Sequence, residues 1–409
     1  MVGDIEAKSG IGKASFPDPF FACLYRAQAP YRGCGHGCMY CDGRAEKYYV
    51  EGDFARDIQV RRNLPALIAA DVKGGAFARE YGAVGIGSGV TDVYQPLEQE
   101  LGLTRASLAA MIRPETGRAD VPIVALTKND LALRDFDLFS KFPKTLMLVT
   151  VTTMDASVAA AIEPGASPPE ARLEVIRQAK KAGFMTGVLP MPLCPGISDG
   201  EVSVRAVFDA ALGAGADFVY PGGLTLRPGR QKDLFVDLVH QRFPGLEELY
   251  ARVFRENRQS GFPAYDYAAP LASAWARELS ERGVDCMPPH RIYRSLLSAS
   301  DALFVLFCHM DHLYSFRGVD TRPLRAATDK YAEWLKAERT NLRRKRPEPN
   351  PLDPFPVTAR LDERLAQLCR GDSGKSFEEM CGNERLASLA REIVLEGKYF
   401  DYPTLSARE

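Results

Sequence analysis

Three cysteines stand close together near the N-terminus: Cys34, Cys38 and Cys41, in the run Arg-Gly-Cys-Gly-His-Gly-Cys-Met-Tyr-Cys. Their spacing is C-x3-C-x2-C, with Tyr40 just before the last thiol. A protein-bound [4Fe–4S] cluster usually takes four thiolates, one per iron. Three from one short loop leave one iron free to bind a small molecule. Gly33, Gly35 and Gly37 give the backbone the freedom that wrapping a cluster demands. The competing arrangement is a Cys3His zinc site completed by His36, because zinc favours four tetrahedral N and S ligands. But His36 falls inside the first interval, where the loop must already curl to bring Cys34 and Cys38 together. The downstream half of a zinc knuckle or ribbon is also missing. The spacing points to the cluster.

The rest of the composition is compatible with such a centre. The chain has 409 residues, 46% hydrophobic and 26% charged, an ordinary globular balance with ample length for a large core. That length suits one large domain with an extension, or roughly two to three domains. Net charge is −1, so the chain as a whole does not advertise nucleic-acid binding, although a local basic face is compatible with it. Nine cysteines, three of them clustered, fit a reducing compartment and metal chemistry better than a disulfide framework. No apolar run approaches membrane-spanning length, and residues 1–15 are polar and glycine-rich without an apolar signal core. The expectation is a cytoplasmic protein with no membrane partner.

The elements that must position the cysteines read as strand, turn, helix, repeated. Apolar runs rich in Val, Ile, Leu and Thr fall at 22–30, 83–87, 122–127, 146–152, 185–190 and 217–220. Helical spacing separates them at 54–73, 171–181 and 202–212, with Pro65 expected to kink or break the first. Six strands alternating with helices predict a parallel sheet with right-handed crossovers. The polar residues gather at the carboxyl ends of these strands: the cysteine loop, residues 88–92, Thr127–Lys128 and Thr152. That is the ligand edge of barrel-like α/β folds.

Beyond residue 228 the character changes to amphipathic helices, expected at 233–258, 271–282, 292–316, 322–336, 361–369 and 384–396. The basic run 343–346 reads as a solvated helix end, and the proline-rich stretch 347–356 as a linker or strap. Residues 1–20 then form an N-terminal segment, 21–228 a catalytic unit and 229–409 a helical extension. Cys308 and His312 lie one helical turn apart, a spacing that can bind metal, but their apolar neighbours favour a packed helix.

The cysteine spacing resembles the signature of the radical S-adenosylmethionine (SAM) enzymes. Further phrases resemble the spore photoproduct lyase-like branch, the group called DNA repair photolyases. They are Pro30-Tyr31-Arg32-Gly33-Cys34, Thr91-Asp92-Val93-Tyr94-Gln95-Pro96, Leu126-Thr127-Lys128, and Glu163-Pro164 followed by Arg172-Leu173-Glu174. The resemblance covers residues 20–225. It implies a partial (β/α)6 TIM-like barrel of the radical SAM type with a C-terminal helical extension. It implies a [4Fe–4S] cluster on Cys34, Cys38 and Cys41 whose open iron chelates SAM, and cleavage of SAM to a 5′-deoxyadenosyl radical.

The same resemblance assigns Tyr40, Ser88, Thr91, Asp92, Lys128, Thr152 and Arg172 to SAM. Ser88, Thr91 and Asp92 would accept from its amino group, Lys128 would pair with its carboxylate, and Thr152 would bind ribose or carboxylate. Arg172 would contact the carboxylate or else pair with Glu163 or Glu170. Read as plain structure, Ser88, Thr91 and Asp92 are turn or cap residues and Lys128 is a solvated lysine. Spore photoproduct lyase uses a cysteine near the second-strand segment as hydrogen donor. Residues 85–92 contain none, which leaves Cys194 as the candidate. The implied partners are an external one-electron reductant of flavodoxin or ferredoxin type and a substrate that is nucleic acid in the resembling group. A peptide or small metabolite is the alternative, and a non-catalytic iron–sulfur redox sensor the non-enzymatic one.

Overall fold

The computed structural model describes residues 1–48, 52–87, 90–371 and 376–408. Its centre is a seven-stranded sheet: β1 (Ile11–Asp18), β2 (Cys23–Ala27), β3 (Val84–Ile86), β4 (Ile123–Thr127), β5 (Thr145–Thr150), β6 (Met185–Leu189) and β7 (Phe218–Val219). The strands lie in chain order, β2 to β7 all parallel and β1 antiparallel on the outer edge of β2. Six parallel strands in sequence order make an α/β partial barrel of (β/α)6 type. All six residues of β5 are buried, as expected of a central parallel strand covered on both faces. The sheet is open, but its ends curl toward each other: Phe20, in the turn before β2, packs on Tyr220 after β7 at 4.9 Å between ring centroids.

The longer helices are α1 (Leu64–Lys73), α2 (Leu103–Ala110), α3 (Ala156–Ile162), α4 (Pro169–Lys181), α5 (Glu201–Gly213), α6 (Arg230–Arg242), α7 (Glu247–Val253), α8 (Tyr265–Glu281), α9 (Ala299–Phe316), α10 (Arg322–Lys345), α11 (Pro356–Arg370) and α12 (Glu384–Val394). Several bounds differ from the periodicity. The helix expected over 54–73 exists only from Leu64, and Pro65 starts it rather than kinking it, since the first turn has no use for that N–H. Residues Ile58–Val60 ahead of it form a short strand paired with Tyr31–Arg32. The helix expected over 233–258 is two, α6 and α7, parted at Pro244–Gly245. Helix α10 runs nine residues past its expected end at 336, so most of the basic run is its last turn.

The N-terminal segment and the C-terminal extension meet on one side of the sheet. Arg339 of α10 is 2% exposed; its Nη2 lies 2.5 Å from Asp301 of α9 and its Nε 3.3 Å from Glu80. Glu80 also pairs with Lys13 of β1 at 2.9 Å and Arg343 at 2.8 Å. Arg343 is therefore not a solvated helix end. The same two arginines donate to β1 carbonyls, Arg343 Nη2 to Ala14 O at 3.0 Å and Arg339 Nη1 to Ser15 O. The proline-rich stretch leads back to the sheet: Arg79 donates to Pro347 O at 3.1 Å, and Tyr81 packs on Phe355.

Candidate active site

The cysteine loop follows β2 at the carboxyl edge of the sheet, and side chains from distant elements hold its shape. Gly33 takes φ +85°, and a Cβ there would meet Phe54 O at 2.9 Å; that same carbonyl accepts from Cys34 N. Arg44 donates to Cys38 O at 2.9 Å and Gly37 O at 2.8 Å, turning the loop back on itself. Gln95 bridges Gly33 O and Gly35 N. From the far side of the chain, Gln231 of α6, fully buried, donates to Tyr40 O, Asp42 Oδ1 and Thr225 O. The loop is thus preorganised by polar groups, of which Gln95 and Gln231 are fully buried and Arg44 half-buried.

Cys34 and Cys38 are buried and Cys41 partly so, and all three are free thiols. Burial pushes each thiol up, Cys38 to about 12, while the Lys128 cation acts the other way on Cys38 and Cys41. The three thiols lie within electrostatic reach of one another around Cys34. Among the described residues no three such donors are gathered tightly enough for a single metal ion. A cluster, which takes each thiolate on a different iron, requires no such closeness. His36 does not complete a zinc set: Nδ1 is 3.5 Å from Asp92 Oδ2 and Nε2 is 3.3 Å from Asn129 Nδ2. Burial pushes its imidazole below the usual histidine range. The donor chemistry fits three-thiolate ligation, and binding must displace three protons from buried thiols.

The expected SAM residues divide into three groups. Thr152, 1% exposed and just beyond β5, has a buried hydroxyl with no hydrogen-bond partner among the described residues. Lys128, just beyond β4, sits with Nζ 5.9 Å from the centroid of the Tyr40 ring and forms no ion pair among the described residues. An orphan hydroxyl and an unpaired ammonium beside three thiols suit a small ligand with a carboxylate and a ribose.

The second group is occupied internally. Asp92 accepts from Thr127 Oγ1 at 2.9 and 3.0 Å, Lys128 N at 2.7 Å and Tyr94 N at 2.8 Å, so its carboxylate ties the β3 loop to β4. Arg172, 1% exposed, takes the Glu163 option: Nη2 is 2.7 Å from Glu163 Oε2, with further bonds to Ser167 O and Thr150 O. Tyr40 donates its hydroxyl to Glu163 Oε1 and packs edge-on against Phe235 of α6. Thr91 is buried in the same loop.

Ser88 lies outside the described residues. Cys194, after β6, is fully buried in a small apolar cluster with Cys38, Tyr40, Phe235 and Tyr250, its thiol 3.8 Å from Pro192 O. Burial, with Glu163 and Asp199 nearby, holds that thiol well above its usual range. Around Cys308 and His312 of α9 no group of three metal donors is gathered among the described residues, and the intervening His309 contacts Tyr402 Oη and Pro19 O with its two ring nitrogens.

Comparison with known proteins bears on the segment that carries these residues. The profile of the radical SAM superfamily matches residues 29–205, the segment that carries the three cysteines, Lys128, Thr152 and Arg172. An uncharacterized protein of Mycobacterium tuberculosis H37Rv is 28% identical over 232 residues, 55% of this chain and 66% of its own length. One of Methanocaldococcus jannaschii is 29% identical over 221 residues, 54% of this chain and 76% of its own. Among solved structures, a mutant of spore photoproduct lyase aligns over 60% of this chain and 66% of its own, with 17% identity and a TM-score of 0.42. The match thus spans just under two thirds of the mycobacterial relative and of that lyase chain. Residues 29–205 thus carry a radical SAM domain, and enzymes of that superfamily use a [4Fe–4S] cluster and S-adenosylmethionine.

Proposed function

We propose that Cys34, Cys38 and Cys41 hold the cluster and that Lys128 and Thr152 receive SAM, so that the enzyme abstracts a hydrogen atom from its substrate. The observation that carries the reading is a Lys128 ammonium without an ion pair and a Thr152 hydroxyl without a hydrogen-bond partner among the described residues, at the strand ends beside three buried or partly buried thiols. When bound, the cofactor pair supplies reductive cleavage of SAM to a 5′-deoxyadenosyl radical, the electron coming from an external donor of flavodoxin or ferredoxin type. The chain's own part is to bind, orient and keep the site dry. Lys128 holds a carboxylate, His36 and the saturated Asp92 fix the loops around it, and burial excludes water from the thiols. Residues 21–228 act as the catalytic unit, and 229–409 cover its open side.

For the substrate we propose a nucleic acid, as the resemblance of residues 91–96 and 126–128 to the spore photoproduct lyase-like branch implies. Net charge of −1 favours a peptide or small metabolite instead. No helix of the described residues is long and apolar enough to cross a membrane. The test is anaerobic reconstitution with iron and sulfide, then reduction with dithionite in the presence of SAM, following 5′-deoxyadenosine, with Cys38→Ala as control. Deoxyadenosine from the native protein alone is the expected result. A protein that binds the cluster yet never cleaves SAM overturns the enzyme reading and leaves the redox sensor. Binding to oligonucleotides that weakens steeply with salt separates nucleic acid from small substrates.

A further inference from the structure

Glu163 occupies the centre of the site without being a ligand in any reading of the sequence. It follows α3, and its side chain has no solvent exposure. One carboxylate oxygen accepts the Tyr40 hydroxyl, and the other lies 2.7 Å from Arg172 Nη2. The backbone around it is docked on the cysteine loop: Met39 N donates to Ile162 O and Gly165 N to His36 O, both at 2.8 Å. Burial opposes ionisation of Glu163, but Arg172, Lys128 and the Tyr40 hydrogen bond outweigh it and keep the carboxyl below its ordinary range. Its field reaches the thiols of Cys38 and Cys194.

Two opposite charges in so dry a place are costly to desolvate, and a pair of apolar residues would serve packing as well. What such residues could not do is hold the phenol of Tyr40 while adding no net charge beside the cysteines. We propose that Glu163 is a positioning residue of the cofactor site. It pins the Tyr40 ring under Lys128 and cancels the Arg172 cation, so that the cluster's potential is set without a buried positive charge at its side. This rests on the radical SAM reading of the three cysteines.

The sign of the consequence follows from Coulomb's law in a low-dielectric site. The reduced cluster carries one more negative charge than the oxidised one, so an uncompensated cation nearby favours reduction. Glu163→Gln keeps the shape and leaves Arg172 unbalanced. Arg172→Met leaves Glu163 unbalanced. The double variant restores neutrality.

The experiment reconstitutes the native chain and these three variants, measures iron and sulfide, and titrates the cluster potentiometrically by its EPR signal. Glu163→Gln should load the cluster and raise the reduced-to-oxidised ratio at fixed potential by about tenfold, which is ~59 mV toward positive for one electron. Arg172→Met should move it the opposite way, and the double variant should return it close to native. If Glu163→Gln does not load, Arg172→Met against the double variant carries the same comparison. Equal potentials in the native chain and any loaded single variant overturn the proposal, as does a double variant that keeps a single variant's shift. A native chain that takes up no cluster overturns the radical SAM reading itself.

Discussion

Replacing Lys128 with methionine keeps the apolar stem of the side chain and removes only its charge. Nζ stands 5.9 Å from the Tyr40 ring centroid with no ion-pair partner among the described residues, so no existing bridge is broken and stability should change little. What is lost is a donor for an incoming carboxylate. A hydrogen bond with a charged partner contributes about 1.5–3 kcal/mol. Lys128 is only half-buried, which screens the interaction and favours the lower part of that range. Some 1.5–2 kcal/mol corresponds to roughly 10- to 30-fold weaker SAM binding. The assay is equilibrium dialysis of labelled SAM against native and Lys128→Met protein, reconstituted anaerobically to equal iron and sulfide. Because the interaction is partly exposed, native affinity should also fall with added salt more steeply than that of the variant. Equal dissociation constants at equal cluster loading would refute Lys128 as the carboxylate partner.

The loop geometry and the buried histidines give further expectations. A Cβ on Gly165 would lie 2.4 Å from Gly35 O and 3.0 Å from the His36 backbone. Gly165→Ala must therefore push the cysteine loop off its seat, and iron incorporated per chain should fall while the circular dichroism of the helices is unchanged; full loading would contradict the close approach. His290 and His309 are buried and depressed to about 3 and about 4, burial being the main cause. Their neutral forms stabilise the fold fully above the unfolded value of about 6.5, and that stability is lost as pH falls through 6.5 toward the folded values. Each should cost about 2 kcal/mol between pH 6.5 and 5. Urea melts across this window should show it, and a midpoint independent of pH would refute it.

Much of the barrel could be read in the chain because each parallel strand is a short run of Val, Ile, Leu and Thr that only burial on both faces explains. β4 and β5 began and ended close to where their apolar runs did. The helix at 54–73 was misjudged because Leu64, Leu67 and Ile68 alone carry the helical spacing, and nothing in that spacing marks Ile58–Val60 as a strand. β1 escaped notice because an edge strand that alternates polar and apolar looks like a tail. At the site, type and place single out the cysteines, Lys128 and Thr152 as candidates, and the structure sets them at the carboxyl ends of the strands. Arg44, Gln95, Asn129 and Gln231 were not, because each acts through a hydrogen bond to backbone or to a residue far off in sequence. Gln231 lies 191 positions from the Tyr40 carbonyl it holds, a distance over which no local pattern carries information. For Arg172 the sequence leaves both SAM and a carboxylate partner open, and only the fold decides that Glu163 takes it.

The contact of α10 with β1 has a consequence for the molecule's behaviour in a crowded solution. A sheet that ends in an open strand offers its backbone as a template for another chain. Here the outermost strand is β1, and Arg339 and Arg343 take up the carbonyls of Ser15 and Ala14 along it. A β-strand from a neighbour seeking to extend the sheet would find those acceptors spoken for and a charged helix in the way. Helix α10 thereby guards this edge of the sheet against self-association, and a chain cut short before α10 would be expected to aggregate.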